Sequence, residues 1–203
     1  MTEKTLPTVC IIESLDLLQE DTLREGEIIS RTLRLSDKAS QYVYLRTDEE
    51  LEKAIEEFGQ SKHRYLHLSC HGTERGEFCT TLHPVNPEEL VDKLAPAMES
   101  RRLFISSCHA CTQDFAYNLL RKSNCLSVLG PVGEIRFDDA AIFWSSFYHL
   151  MFRKNPDRMR SADIEETVTK CARMIGQKFR LFGKKGGEVY SCVLPAPSKP
   201  KRR

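Results

Sequence analysis

Apolar runs of strand length alternate with segments of helical period along nearly the whole chain, and this alternation restricts the fold more than any other feature. Strands separated by helices line up in parallel, with the connecting helices covering the sheet. Residues 8–12, 41–46, 65–69, 103–107, 126–130 and 189–194 read as strands. The first helix is expected around 21–33. In the next, Leu51, Ile55 and Phe58 recur at spacings of four and three behind a cap at Thr47 or Asp48. Asn86 with Pro87 opens a helix through Leu90, Leu94 and Met98, which Pro96 should kink or shorten. Thr112 can cap a helix carrying Phe115, Leu119 and Leu120. Ala140, Phe143, Phe147 and Met151 mark another over 139–152. A long stripe of Ile164, Val168, Cys171, Ile175, Phe179 and Phe182 predicts a helix over 161–182. The expected fold class is an α/β sandwich with a mostly parallel central sheet.

With 203 residues and 40% hydrophobic positions, the chain can bury one core, so 1–194 is expected to form one domain. The basic stretch 195–203 is expected to be a disordered tail. Thirty Lys and Arg against 29 Asp and Glu give no global field that would recruit nucleic acid or an anionic membrane. No segment has the length of a membrane span or the apolar core of a signal peptide, so a cytoplasmic location is expected. Several of the eight cysteines fall inside apolar runs, which suits reduced thiols.

In open parallel sheets, reacting groups gather beyond the carboxyl ends of the strands. His71 follows the strand ending in Ser69, and Cys108 follows the strand ending in Ser107. If these strands are neighbours, the two residues lie only about 5 to 10 Å apart despite their distance in sequence. A neutral imidazole can take the proton of a thiol, and the helix start after Cys108 favours the resulting anion. Gly72 lets its backbone approach a substrate, so the N–H groups of Gly72 and Cys108 are the expected oxyanion hole. Glu13, Asp16, Asp138 and Asp139 lie near strand ends, where they could line a substrate pocket or orient His71; helix capping or a solvated surface is the plainer reading.

The segments Tyr65-Leu-His-Leu-Ser-Cys-His-Gly72 and Leu103-Phe-Ile-Ser-Ser-Cys-His-Ala110 resemble the two signatures of the caspase-like peptidase fold, in particular the bacterial CHAT proteases and, more distantly, metacaspases. The similarity extends into Val128-Leu-Gly130 and residues 139–148. The resemblance implies a caspase-like three-layer α/β/α sandwich and a cysteine endopeptidase that uses His71 and Cys108, with Gly72 in the oxyanion hole. It implies a protein substrate and no metal or organic cofactor. A separate activator or regulatory protein would switch such an enzyme, in a pathway such as antiviral defence or programmed cell death. Metacaspases carry an aspartate shortly before the nucleophile to bind basic side chains, whereas Ser106 and Ser107 stand here, so specificity for Arg or Lys gains no support. No cleavable linker of the animal caspase type follows the catalytic strand; the loop 73–83 is the candidate for an activating cut.

Three other readings remain. The chain could be a catalytically inactive caspase-like interaction module in a signalling assembly. Cys70 or His109 could replace its neighbour as the reacting group if a strand is shifted by one residue. The cysteines and histidines at 70, 71, 79, 83, 108, 109 and 111 could bind zinc, although they form no paired C-x-x-C knuckles. His67 reads as a core histidine.

Overall fold

The computed structural model describes residues 5–196. Five strands run in parallel: β1 (Leu6–Ser14), β2 (Ser40–Tyr44), β3 (His63–Gly72), β6 (Arg102–Ser106) and β7 (Ser127–Pro131). Two antiparallel strands, β8 (Phe179–Lys185) and β9 (Glu188–Leu194), extend the sheet on one side, giving the order β2-β1-β3-β6-β7-β8-β9. A small ribbon, β4 (Phe78–Cys79) with β5 (Pro84–Val85), attaches to the end of β3.

The pleat sorts the strand residues between two cores. Cys10, Ile12, Leu66 and Leu68 point into one, beneath α2 (Asp48–Gln60), α3 (Pro87–Leu94) and α4 (Gln113–Lys122). Val9, Ile11, Tyr65 and Phe104 point into the other, beneath α1 (Glu25–Leu35), α5 (Phe137–Lys154) and α6 (Ser161–Ile175). The result is a three-layer α/β/α sandwich with a mostly parallel sheet, as the alternation of elements predicts. The caps also form as the sequence suggests. Thr47 and Glu50 make a reciprocal capping box, Asn86 accepts from the Glu88 N–H at 2.9 Å, and Thr112 accepts from the Phe115 N–H at 3.2 Å. Pro96 shortens α3, which gives way to a 3-10 turn over Ala95–Ala97.

Two expectations need correction. The first helix starts at Glu25 rather than near residue 21, because 16–23 fold into tight turns. The long helix stops at Ile175, where Gly176 caps it in the left-handed conformation, and Phe179 and Phe182 belong to β8 instead. Their spacing mimics a helical stripe, yet Phe179 faces the α5–α6 core and Phe182 the opposite one. The Gly186-Gly187 pair, both at positive φ, closes a β8–β9 hairpin.

The antiparallel strand is anchored by Phe179, whose ring stacks on Phe143 of α5 with centroids 3.7 Å apart. Phe179→Ala should therefore cost about 3–5 kcal/mol in urea unfolding, as large-to-small core changes do. A loss below about 1 kcal/mol would contradict this anchoring role.

Candidate active site

β3 and β6 pair with Ser69 opposite Ser106, so both chains leave the sheet side by side at their carboxyl ends. β3 continues to Gly72 and pairs there with β4, placing His71 opposite Cys79 and Gly72 opposite Phe78. Cys108 lies in the turn between β6 and α4. The two strand ends touch through their main chains. A Cβ built on Gly72 would stand 1.8 Å from the Cys108 carbonyl oxygen and 2.6 Å from Ser107 Oγ, so only glycine fits.

His71 is held from the loop between β1 and α1. Its Nε2 hydrogen bonds to Gln19 Oε1 and lies 3.5 Å from Asp16 Oδ2, and its ring stands edge-on to Phe137 at 5.2 Å. With Nε2–H donating to the Gln19 oxygen, Nδ1 carries the lone pair that can take a proton. The loop is pinned at its outer side, where the Arg46 guanidinium holds both carboxylate oxygens of Glu20 at 2.9 and 2.7 Å. The Tyr44 hydroxyl donates to the same carboxylate at 3.0 Å.

Cys108 opens onto a cleft of about 430 Å³ that is also lined by Gly72, His109 and residues 134–136. The Ile135 N–H donates to its Sγ at 3.4 Å, and the thiol donates in turn to the Ile135 carbonyl at 3.6 Å. Among the described residues, no hydrogen bond joins His71 to Cys108. Two cavities of 460 and 560 Å³ lie elsewhere, both against Pro96 and Ala97, and no cysteine or histidine lines them.

The other candidates occupy different places. Cys70 is 4% exposed and lies on the opposite face of β3 from His71, where burial pushes its thiol well above the ordinary range. A thiol so placed stays protonated. His109 lines the cleft with a left-handed backbone at φ 57, its Nε2 3.9 Å from Glu134 Oε1. His67 is a core histidine: its Nδ1 lies 3.0 Å from the Tyr148 hydroxyl and its ring packs edge-on against Trp144. Asp138 pairs with Arg136 and accepts the Asp139 N–H on the exposed start of α5; neither aspartate lines the cleft. Among the described residues, no group of three His, Cys, Asp or Glu side chains is placed to hold a metal ion.

Glu13 also stands away from the cleft, fully buried at the end of β1. It accepts the Gly26 N–H and the Tyr42 hydroxyl, each at 2.7 Å. Burial nevertheless raises its carboxyl to about 7. Sequence reasoning missed Gln19, Glu25 and Ile135: Gln19 lies in the loop after β1 with no pattern to mark it, Glu25 reads as an ordinary first-turn acid of α1, and Ile135 acts through its main chain.

Two variants probe this geometry. Gly72→Ala should force β3 and the Cys108 turn apart, measurable as loss of selective Cys108 alkylation in a protein that still unfolds cooperatively; unchanged alkylation would contradict the contact. A group whose pKa rises from 4.5 to about 7 on folding stabilises the fold fully below pH 4.5 and loses that contribution as the pH climbs through 7. Glu13→Gln should remove about 3 kcal/mol of pH-dependent stability between about pH 4.5 and 8. Equal pH slopes in urea unfolding of the two proteins would refute this.

No protein-family model matches the chain, and no curated protein matches it in sequence. Among solved structures it is similar to the separase of Saccharomyces cerevisiae in two crystal structures of the separase–securin complex. The first has a TM-score of 0.53 at 14% identity over 97% of this chain, and the second 0.52 at 14% identity over 86%. The chain spans 12% of the separase chain in each case. At this identity the likeness concerns the fold alone, and the chain has the caspase-like α/β/α fold.

Proposed function

We propose that the protein is a cysteine endopeptidase in which Cys108 is the nucleophile and His71 the general base. The observation that carries this is the packing of Gly72 on Cys108 at the carboxyl ends of two adjacent parallel strands, with His71 and a cleft beside them. His71 Nδ1 takes the thiol proton, and Sγ attacks the carbonyl carbon of a peptide bond. The N–H groups of Gly72 and Cys108 receive the oxyanion. Collapse breaks the C–N bond as His71 returns the proton to the leaving amine, and water then hydrolyses the thioester with His71 again as base. Asp16 keeps a role beside His71 as an orienting group, 3.5 Å from its Nε2.

We extend this to a cytoplasmic enzyme that acts on a protein substrate without metal or organic cofactor. Control by a separate protein is supported by analogy with separase, which was crystallised with securin. The CHAT-type affiliation and a role in antiviral defence or programmed cell death rest on the sequence resemblance.

A second reading, an inactive interaction module, is favoured by one observation: His71 Nε2 is engaged by Gln19 while, among the described residues, no hydrogen bond joins His71 to Cys108. A panel of peptide electrophiles separates the two. The peptidase should form its adduct on Cys108, located by mass spectrometry. Cys108→Ala should abolish cleavage, and His71→Ala should lower it at least about 100-fold. Retained cleavage in either variant overturns the proposal, and failure of every electrophile to select Cys108 favours the interaction module.

A further inference from the structure

The face of the sheet that carries aromatic side chains along most of its length turns polar just below the candidate site. Tyr65 and Phe104 occupy neighbouring strands on that face, and Ser69 and Ser106 replace such groups at the strand ends, both almost without exposure. A single carboxylate ties them. Glu25, the first residue of α1 and 2% exposed, accepts the Ser106 hydroxyl at 2.9 Å and the Ser69 hydroxyl at 3.3 Å through the same oxygen, Oε2. Its other oxygen, Oε1, has no hydrogen-bond partner and lies 3.7 Å from His67 Nε2, which has none either.

We infer that Glu25 is a positioning residue that clamps the two strand ends from which His71 and Cys108 extend. The inference rests on the peptidase reading of those two residues and adds a third position that holds them in place. The parity of the strands makes the placement specific. Ser69 lies two residues before His71 on the same face of β3, and Ser106 lies two residues before Cys108 at the end of β6. Main-chain pairing already sets the register of Ser69 against Ser106. The β3–β6 ladder stops at that pair, with His71 and Gly72 going on to pair with β4, and a shared acceptor below Ser69 and Ser106 adds a side-chain tie between the two strands where their ladder ends.

Burying a carboxylate is costly, so its presence needs a compensating arrangement. The Ser106 and Ser69 hydroxyls that donate to Oε2 supply part of it. The neighbouring Gly26 N–H is committed to Glu13 Oε1, and Ser69 Oγ also lies 3.5 Å from that oxygen. One helix start thus meets the ends of β1, β3 and β6. A misplacement of the order of 1 Å in a reacting group can cost about 100-fold in rate, so the clamp bears on chemistry more than on folding.

The test compares Glu25→Leu, Glu25→Gln and Ser106→Ala with the wild-type chain. Alkylation of Cys108 by iodoacetamide is followed by mass spectrometry, with the half-buried Cys192 of β9 as an internal reference. Peptide hydrolysis is resolved into kcat and KM. Glu25→Leu is expected to slow Cys108 labelling and kcat about 10-fold or more while KM and Cys192 labelling stay unchanged. Glu25→Gln, which keeps an acceptor oxygen, should stay within about 3-fold of wild type. Ser106→Ala should fall between the two, and it decides the matter if Glu25→Leu does not fold. A purely structural role predicts the opposite pattern, since a loosened core speeds labelling of all thiols. Wild-type rates in both Glu25→Leu and Ser106→Ala, or uniformly faster labelling, overturn the clamp. A wild-type Cys108 no more reactive than in His71→Ala overturns the peptidase reading and the clamp with it, whereas a reactive Cys108 that is indifferent to Glu25 removes the clamp alone.

Discussion

The close approach of β3 and β6 governs this molecule. Parallel pairing with Ser69 opposite Ser106 brings two segments distant in sequence to one end of the sheet. The contact of Gly72 with the Cys108 carbonyl then brings their main chains together beyond the last ladder bonds. The cleft beside Cys108 lies where β6 ends while β3 runs on to Gly72, with the loop after β7 lining one side. No single residue creates the site; it follows from the sheet order, which the crossover helices impose.

The core under that end of the sheet differs from the core elsewhere. Along α5, Phe143, Trp144, Phe147 and Tyr148 pack in edge-to-face and stacked pairs, with the Tyr148 hydroxyl bonded to His67 and the Trp144 indole N–H buried without a partner among the described residues. Toward the strand ends, Glu13, Glu25, Ser69, Ser106 and Tyr42 replace apolar contacts with hydrogen bonds. Such a buried network is sensitive to the loss of any one member, because each group left unpaired bears its own desolvation cost.

Much of the fold was legible because hydrophobic period and capping chemistry are local. Thr47, Asn86, Thr112 and Pro96 act through neighbours a few residues away, and each does in the structure what its type suggests. The end of α6 was not legible in the same way. Spacings of four and three between Ile175, Phe179 and Phe182 satisfy a helix and a strand whose two faces are both buried, and Gly176 with the Gly186-Gly187 hairpin was the signal that separated them. His71, Gly72 and Cys108 could be singled out because their chemistry coincides with strand ends. Glu25 could not, since a glutamate at a helix start looks like any favourable first-turn acid, and only the crossing of α1 over three strands reveals what it touches.

The two members of the candidate dyad are tethered to unlike parts of the molecule. Cys108 follows a strand held among buried neighbours on both faces. His71 takes its side-chain partners from a surface loop whose outer fastening is the Glu20–Arg46 ion pair, an attachment of a kind that water and salt weaken. His71 thus combines a backbone fixed in a strand with a ring oriented from a loop, so undoing the Glu20–Arg46 fastening would redirect the imidazole without moving the strand that bears it.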